Sequence, residues 1–113
     1  MAADFEMKAG DTLPSLRAYL SDPHQGDTDE ERVVDLTDAT GVQLRMKRGG
    51  QVVLQAAMSI VVPELGSIQY DWQPGDTARP GKYQVEFVVT FAGGKERTFP
   101  SADWEHVLVS PRL

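Results

Sequence analysis

Residues 82–91 read KYQVEFVVTF, and this stretch decides the fold class. Apolar and aromatic side chains occupy every second position, so in an extended chain they share one face; they are Tyr83, Val85, Phe87, Val89 and Phe91. The opposite face carries Lys82, Gln84, Glu86, Val88 and Thr90. This alternation predicts a β-strand with one face in a core and the other towards water.

The same alternation continues on both sides of this strand, and helical periodicity is nearly absent. Alternating runs occupy residues 4–8, 14–20, 42–47, 52–60, 68–72, 95–99 and 107–109, and residues 33–36 are expected to form a short strand that pairs at an edge. Turn-forming residues separate them, which predicts an all-β domain of about seven to nine short antiparallel strands. Each apolar face needs a covering layer, so a two-sheet immunoglobulin-like sandwich is favoured and a small barrel is the alternative.

The length of 113 residues predicts a single domain spanning residues 1–113. Within it, residues 1–4 are expected to form a loose N-terminal arm. Residues 21–32, SDPHQGDTDEER, are polar and acidic, which predicts an exposed loop.

Composition and charge exclude several classes of function. The formal net charge of -6 argues against nucleic acid as a partner, because binding a phosphate backbone requires clustered basic residues. The chain has no cysteine, which excludes disulfides and thiolate zinc sites. The start, MAADFEMKAGD, has no apolar signal core, and no apolar run approaches the ~20 residues that span a bilayer. We therefore expect neither nucleic acid nor membrane as a partner.

No catalytic motif is present. HExxH, P-loop and GxGxxG patterns are absent, and no GxSxG turn accompanies the two histidines, His24 and His106. The carboxylates Asp71 and Glu86 fall on strand faces that the alternation directs to water, so nothing in the sequence desolvates them for acid catalysis. The sequence predicts a protein that is not an enzyme and has no cofactor, catalytic residue or metal ligand.

Two features are candidates for binding a partner. One is the acidic run Asp27, Asp29, Glu30 and Glu31, which has the carboxylate density of a calcium loop without its D-x-D-x-D-G pattern. We interpret it as a solvated loop. The other is Trp104, whose alternation does not place it in a core, and Trp is enriched in binding hot spots.

The tripeptide GDT occurs three times, at residues 10–12, 26–28 and 75–77. The first and last copies precede strands, which predicts structural turns built by Gly10, Asp11, Thr12, Pro74, Gly75, Asp76, Thr77, Pro80 and Gly81. Proline presets φ and glycine accepts positive φ, while side-chain oxygens of Asp76 and Thr77 are expected to accept from free N–H groups of the turn. The middle copy lies in the acidic segment and is interpreted as coincidence.

Several motifs in a fixed order resemble a known family. They are KAGDTLPSL at residues 8–16, VDLTDA at 34–39, YDW at 70–72, PGKYQVEF at 80–87 and TFP at 98–100. Together they resemble the immunoglobulin-like N-terminal domain of phage baseplate upper proteins, over nearly the whole chain. The chain ends at residue 113, where longer relatives are expected to continue into a fibre.

The resemblance implies a non-enzymatic bacteriophage virion structural protein. Such a tail- or baseplate-associated adaptor or decoration domain docks to other virion proteins of the tail, baseplate or head-tail region. It is expected in multiple symmetric copies in the virion, after assembly in the host cytoplasm. The alternative is a carbohydrate-binding, host-adhesion module on the virion surface, which would use exposed aromatic rings such as Trp104.

Overall fold

The structure, a computed structural model, describes residues 3–99 and 104–112, with only the backbone for Ala3, Trp104 and Glu105. Strands dominate this part of the chain: β1 (Ala3–Lys8), β2 (Leu16–Tyr19), β3 (Ala39–Arg48), β4 (Gln51–Val62), β5 (Ser67–Tyr70), β6 (Gly81–Phe91), β7 (Glu96–Phe99) and β8 (Trp104–Ser110). A one-turn helix, α1 (Asp29–Arg32), and a 3-10 helix at Pro63–Leu65 complete the elements. The all-β prediction is confirmed.

The strands form one hydrogen-bonded path in the order β1-β8-β6-β3-β4-β5-β2, and β7 pairs with β6 beside it. The expectation of antiparallel strands throughout is wrong at one place, because β1 and β8 pair in parallel. Phe5 of β1 lies opposite Val107, and Met7 lies opposite Val109. Alternation reports which face of a strand is buried and carries no information on the direction of its neighbour, which is why this pair was missed.

Strand β4 changes its partner along its length. Residues from Gln51 to Met58 pair with β3, and residues from Ser59 to Val62 pair with β5. Because β4 lies between β3 and β5 in the path, these two partners occupy opposite edges of the strand. The β5-side edge of residues 51–57 consequently pairs with no strand that the structure describes.

The core collects the alternating apolar residues. On β6, Tyr83, Val85, Phe87 and Val89 are buried as predicted, and Phe91 is partly buried. Tyr70 and Trp72 are also buried as expected, with their rings in an edge-to-face contact at 5.3 Å between centroids. Burial of one such large side chain is worth about 1.5–3 kcal/mol, so the inward faces supply most of the stability.

Three local expectations need correction. The predicted loose arm of residues 1–4 is wrong for Ala3 and Asp4, which pair with β8, and residues 1–2 lie outside the described residues. The segment Val33–Leu36, expected to be a short strand, contributes only an isolated bridge from Val33 to Ser21, while Val34 and Leu36 pack in the core. The exposed loop at residues 21–32 contains α1, since Thr28 supplies a side-chain cap for that turn.

Candidate functional site

Two copies of GDT contact each other. The N–H of Gly10 donates to the carbonyl of Thr77 at 2.9 Å, and the Thr77 hydroxyl donates to the carbonyl of Asp11 at 2.8 Å. Thr77 is buried although it is polar. The hydroxyl thus joins the connection before β6 to the turn after β1, and its predicted role as an acceptor for N–H groups of its own turn stays a prediction.

The Asp76 carboxylate accepts a hydrogen bond from an N–H group of its own turn, as predicted. Its Oδ2 atom accepts from the N–H of Gln73 at 2.8 Å and from the hydroxyl of Tyr70 at 2.6 Å. Burial raises the pKa of the Tyr70 hydroxyl well above its ordinary value, and the adjacent Asp76 carboxylate raises that pKa further. Tyr70 is thus held neutral as a hydrogen-bond donor to a carboxylate, which is a structural role.

The remaining turn residues keep the geometry expected of them. Gly10 and Gly75 have φ of 83° and 92°, a region that side-chain-bearing residues avoid. The chain enters β6 at Gly81, directly after Pro80. Thr12 lies in the irregular segment between β1 and β2. These predicted positions lie in the connections between strands.

The acidic run is exposed, and one of its residues, Glu31, forms hydrogen bonds within the same segment. All four carboxylates, Asp27, Asp29, Glu30 and Glu31, reach the surface. Glu31 accepts from the N–H of Asp27 at 2.8 Å, and its own N–H donates to the Thr28 hydroxyl at 3.2 Å. Within residues 3–99 and 104–112, no group of three metal-binding side chains was found. Partner binding by this run stays a prediction.

An ion pair attaches the segment of residues 21–32 to the sheet. Arg97 on β7 donates to the Asp22 carboxylate and lies over the Phe99 ring, with its Cζ atom 4.6 Å from the ring centroid. The Arg97 hydrogen bond, followed by one from the N–H of His24, lowers the pKa of Asp22. The second predicted contact residue, Trp104, has its side chain outside the described residues, so its role also stays a prediction.

His106 has a carboxylate neighbour that the sequence did not predict. Its Nδ1 atom lies 3.2 Å from Oδ1 of Asp4, and the Lys82 ammonium lies 3.8 Å from the other oxygen of that carboxylate. The Asp4 carboxylate on β1 thus contacts Lys82 on β6 and His106 on β8.

The free edge of β4 was not predicted. From Gln51 to Val62 the strand contains no charged residue, and several of its apolar side chains are exposed, including Val52 at 48% and Val53 at 53%. Leu54 and Ala56 face the core side yet remain half-buried. This edge therefore combines unpaired backbone groups with apolar side chains that water still reaches.

A cleft of about 380 Å³ opens at one end of the strands, between the β3–β4 hairpin and the connection from β5 to β6. Its lining consists of Arg48, Val53, Gly75, Asp76, Ala78, Arg79 and Tyr83. The two arginines lie far apart in sequence and share no motif, so alternation and spacing offered no signal for this cleft.

No family model matches the chain, and no curated protein matches it. One solved structure, the crystal structure of CopC from Methylosinus trichosporium OB3b, is similar over 99% of this chain and 88% of its own. The sequence identity is 15% and the TM-score is 0.48. No described helix is long and apolar enough to cross a bilayer.

These comparisons correct the functional expectation drawn from the sequence. The structural match is CopC, and neither a phage protein nor a virion component appears among the matches. The expectation of a virion structural protein, with its host-adhesion alternative, is therefore wrong. The motifs that carried the resemblance are turns and strand starts, and the contacts of Thr77 and Asp76 show that such residues serve strand connection.

Proposed function

We propose that this chain is a non-enzymatic binding domain that captures an extended segment of another protein on the free edge of β4. The observation that carries the proposal is the edge at residues 51–57, which is uncharged, mostly apolar and unpaired in the described part of the chain. An exposed strand edge presents N–H and C=O groups that another strand can pair with.

The other edge strands support this choice by contrast. Proteins protect strand edges with charged side chains and with short strands. β1 carries Asp4, Glu6 and Lys8, β2 carries Arg17, and β7 carries Glu96 and Arg97. β2 and β7 are also only four residues long. β4 is the longest described strand and has neither protection.

The expected occupant is an uncharged, apolar strand from a different protein. Half-buried Leu54 and Ala56 would be covered by its side chains, and exposed Val52 would contact them on the outer face. A second copy of this chain is the less favoured occupant, because each copy carries a net charge of -6 and the two bodies would repel.

For the arrangement of strands, we also propose the finer description of an immunoglobulin-like two-sheet sandwich. The partner change of β4 between Met58 and Ser59 supports it, because one strand crossing between two sheets pairs with each in turn. A crystal structure with β2 and β5 packed face to face against β3 and β6 is the expected result. A closed barrel with β1 paired to β2 would contradict it.

Site-specific photo-crosslinking in the native host tests the binding proposal. A benzoylphenylalanine at position 55, where Gln55 is exposed on β4, should crosslink a defined protein. The matched control places the same group at Glu6, an exposed position on the charged edge of β1, and should not. A synthetic peptide covering the crosslinked segment should then slow amide hydrogen exchange at residues 51–57.

Charged substitutions complete the test. Val52→Lys with Ala57→Lys should reduce crosslinking at position 55 at least about tenfold, the change expected for a free-energy loss of ~1.4 kcal/mol. The control substitution Glu6→Lys should leave the crosslinking at position 55 unchanged. Equal crosslinking from positions 55 and 6, or unaltered exchange at residues 51–57, would refute strand addition. Crosslinking of the chain to itself would identify a second copy as the occupant.

A further inference from the structure

Arg48 and Arg79 differ from every other arginine of the chain. The others bond to a side chain or a carbonyl: Arg17 to Gln69, Arg32 to Gly26, Arg45 to Glu86, Arg97 to Asp22 and Arg112 to Asp11. The guanidinium groups of Arg48 and Arg79 form no ion pair or hydrogen bond with any residue that the structure describes. Both nevertheless line the same cleft, in a protein of net charge -6.

Tyr83 organises both of these arginines. Its ring lies beneath the Arg48 guanidinium, whose Cζ atom is 5.8 Å from the ring centroid, and its hydroxyl donates to the backbone carbonyl of Arg79 at 2.6 Å. Gly81 leaves the space that Arg48 needs, because a Cβ there would lie only 3.1 Å from the Arg48 Cζ atom. Tyr83 is buried, so it supplies a rigid floor to the cleft.

The charge of the cleft selects the ligand class. Arg48 and Arg79 contribute two positive charges, and the Asp76 carboxylate on the same wall offsets one of them. A single remaining positive charge suits a monoanion better than a phosphate dianion. Guanidinium groups bind carboxylates in a planar, bidentate geometry, and the remaining wall offers the apolar surfaces of Val53 and Ala78.

We propose that this cleft binds a carboxylate attached to an apolar group, with Arg48 and Arg79 as its ligating residues. The carboxylate belongs either to a small organic acid or to the C-terminus of a peptide, since both present the same planar anion. The proposal does not rest on strand addition at β4, because it requires the two arginines and no strand pairing, although Val53 belongs both to the cleft and to the β4 edge.

Titrations followed by NMR test the site with sodium benzoate as the probe. Benzoate should shift the Nε–H resonances of Arg48 and Arg79 and the backbone amides of Gly75 and Ala78. Arg48→Gln and Arg79→Gln should each weaken binding at least about tenfold, the usual consequence of losing a charge-assisted hydrogen bond. Arg17→Gln, which removes an arginine bonded to Gln69 outside the cleft, should leave binding unchanged.

Two further arms identify the source of the carboxylate. A short peptide ending in leucine with a free C-terminus should bind more tightly than benzoate if the natural ligand is a peptide terminus, and its C-terminal amide should not bind. Benzoate binding without peptide binding identifies a small acid.

Equal weakening by Arg17→Gln, shifts reproduced by sodium chloride alone, or tighter binding of inorganic phosphate than benzoate would each overturn the proposal. Unchanged amide spectra outside the cleft establish that the variants are folded.

Discussion

At the scale of single residues, Asp76 joins its own turn to a buried side chain of strand β5. Its carboxylate holds both the Gln73 N–H of its own turn and the hydroxyl of Tyr70, which is buried at the end of β5. The local bond follows from sequence, since an aspartate after Pro-Gly commonly accepts from turn N–H groups. The bond to Tyr70 requires the fold, because the ring must first pack in the core.

Replacing Asp76 by alanine should lower the free energy of unfolding by about 1–3 kcal/mol, because the buried Tyr70 hydroxyl loses its acceptor. Urea denaturation monitored by tryptophan fluorescence measures the loss. Tyr70→Phe is the matched control: in that background Asp76→Ala should cost markedly less, since no buried hydroxyl remains to be satisfied. Equal costs in the two backgrounds would show that the bond to Tyr70 does not contribute.

At the scale of the strands, the outer faces of β3 and β6 are joined by an ion-pair cluster. Glu86 on β6 contacts Lys47 at 3.0 Å and Arg45 at 3.4 Å, both on β3. The hydrogen bond from Lys47, assisted by the charges of both basic residues, lowers the pKa of Glu86 despite partial burial. Alternation placed these residues together on the polar face, and the register of β3 against β6 made them neighbours.

This cluster predicts a pH dependence. The pKa of Glu86 is lower in the folded chain than its ordinary value of 4.5. The ionised Glu86 carboxylate therefore contributes its full stabilisation of the folded state above about pH 4.5, and this contribution is lost as the pH falls below that value. Glu86→Gln should therefore flatten the decline of unfolding free energy below pH 4.5. Chemical denaturation at a series of pH values measures the slope. Glu64→Gln, which removes an exposed carboxylate in the 3-10 helix, should keep the parent slope, and an identical slope in Glu86→Gln would contradict the assignment.

At the scale of the whole molecule, the first and last strands depend on each other. β1 pairs with β8 in parallel, and β8 pairs with β6, so the first and last described strands together form one end of the strand path. Phe5 and Met7 enter the core from β1, with exposed fractions of 7% and 6%. Removing β1 would expose the edge of β8 and leave both of their positions empty.

Deletion of residues 1–8 should reduce the free energy of unfolding by about 4 kcal/mol or more, since two large apolar side chains and one strand pairing are lost. The midpoint and slope of urea denaturation together give the change in unfolding free energy. Met7→Leu conserves volume and should cost less than about 1.5 kcal/mol, which separates loss of the strand from disturbance of one side chain. A deletion that unfolds at the parent midpoint would show that β1 is dispensable.

More of the fold than of the candidate sites could be predicted from the sequence. The alternation of residues 83–91, and the shorter runs around it, correctly placed Tyr70, Trp72 and Tyr83 inside. The prediction missed the parallel partner of β1 and the switch of partner along β4, because both depend on residues distant in sequence. The resemblance of ordered turn motifs misled the functional expectation, since such residues recur wherever strands must be connected.

By itself, the sequence determined the all-β class, the inward face of each main strand and the turn at each glycine-rich connection, because these follow from the geometry of a few neighbouring residues. Only the tertiary structure decided which elements meet. It brought the GDT of residues 10–12 against that of residues 75–77 and left the β5-side edge of residues 51–57 unpaired within the described part of the chain. It also placed Arg79 in the same cleft as Arg48, which lies over the Tyr83 ring. Long-range pairing selects among many arrangements that share the same local pattern, so the surfaces proposed to bind appear only once the strands are assembled.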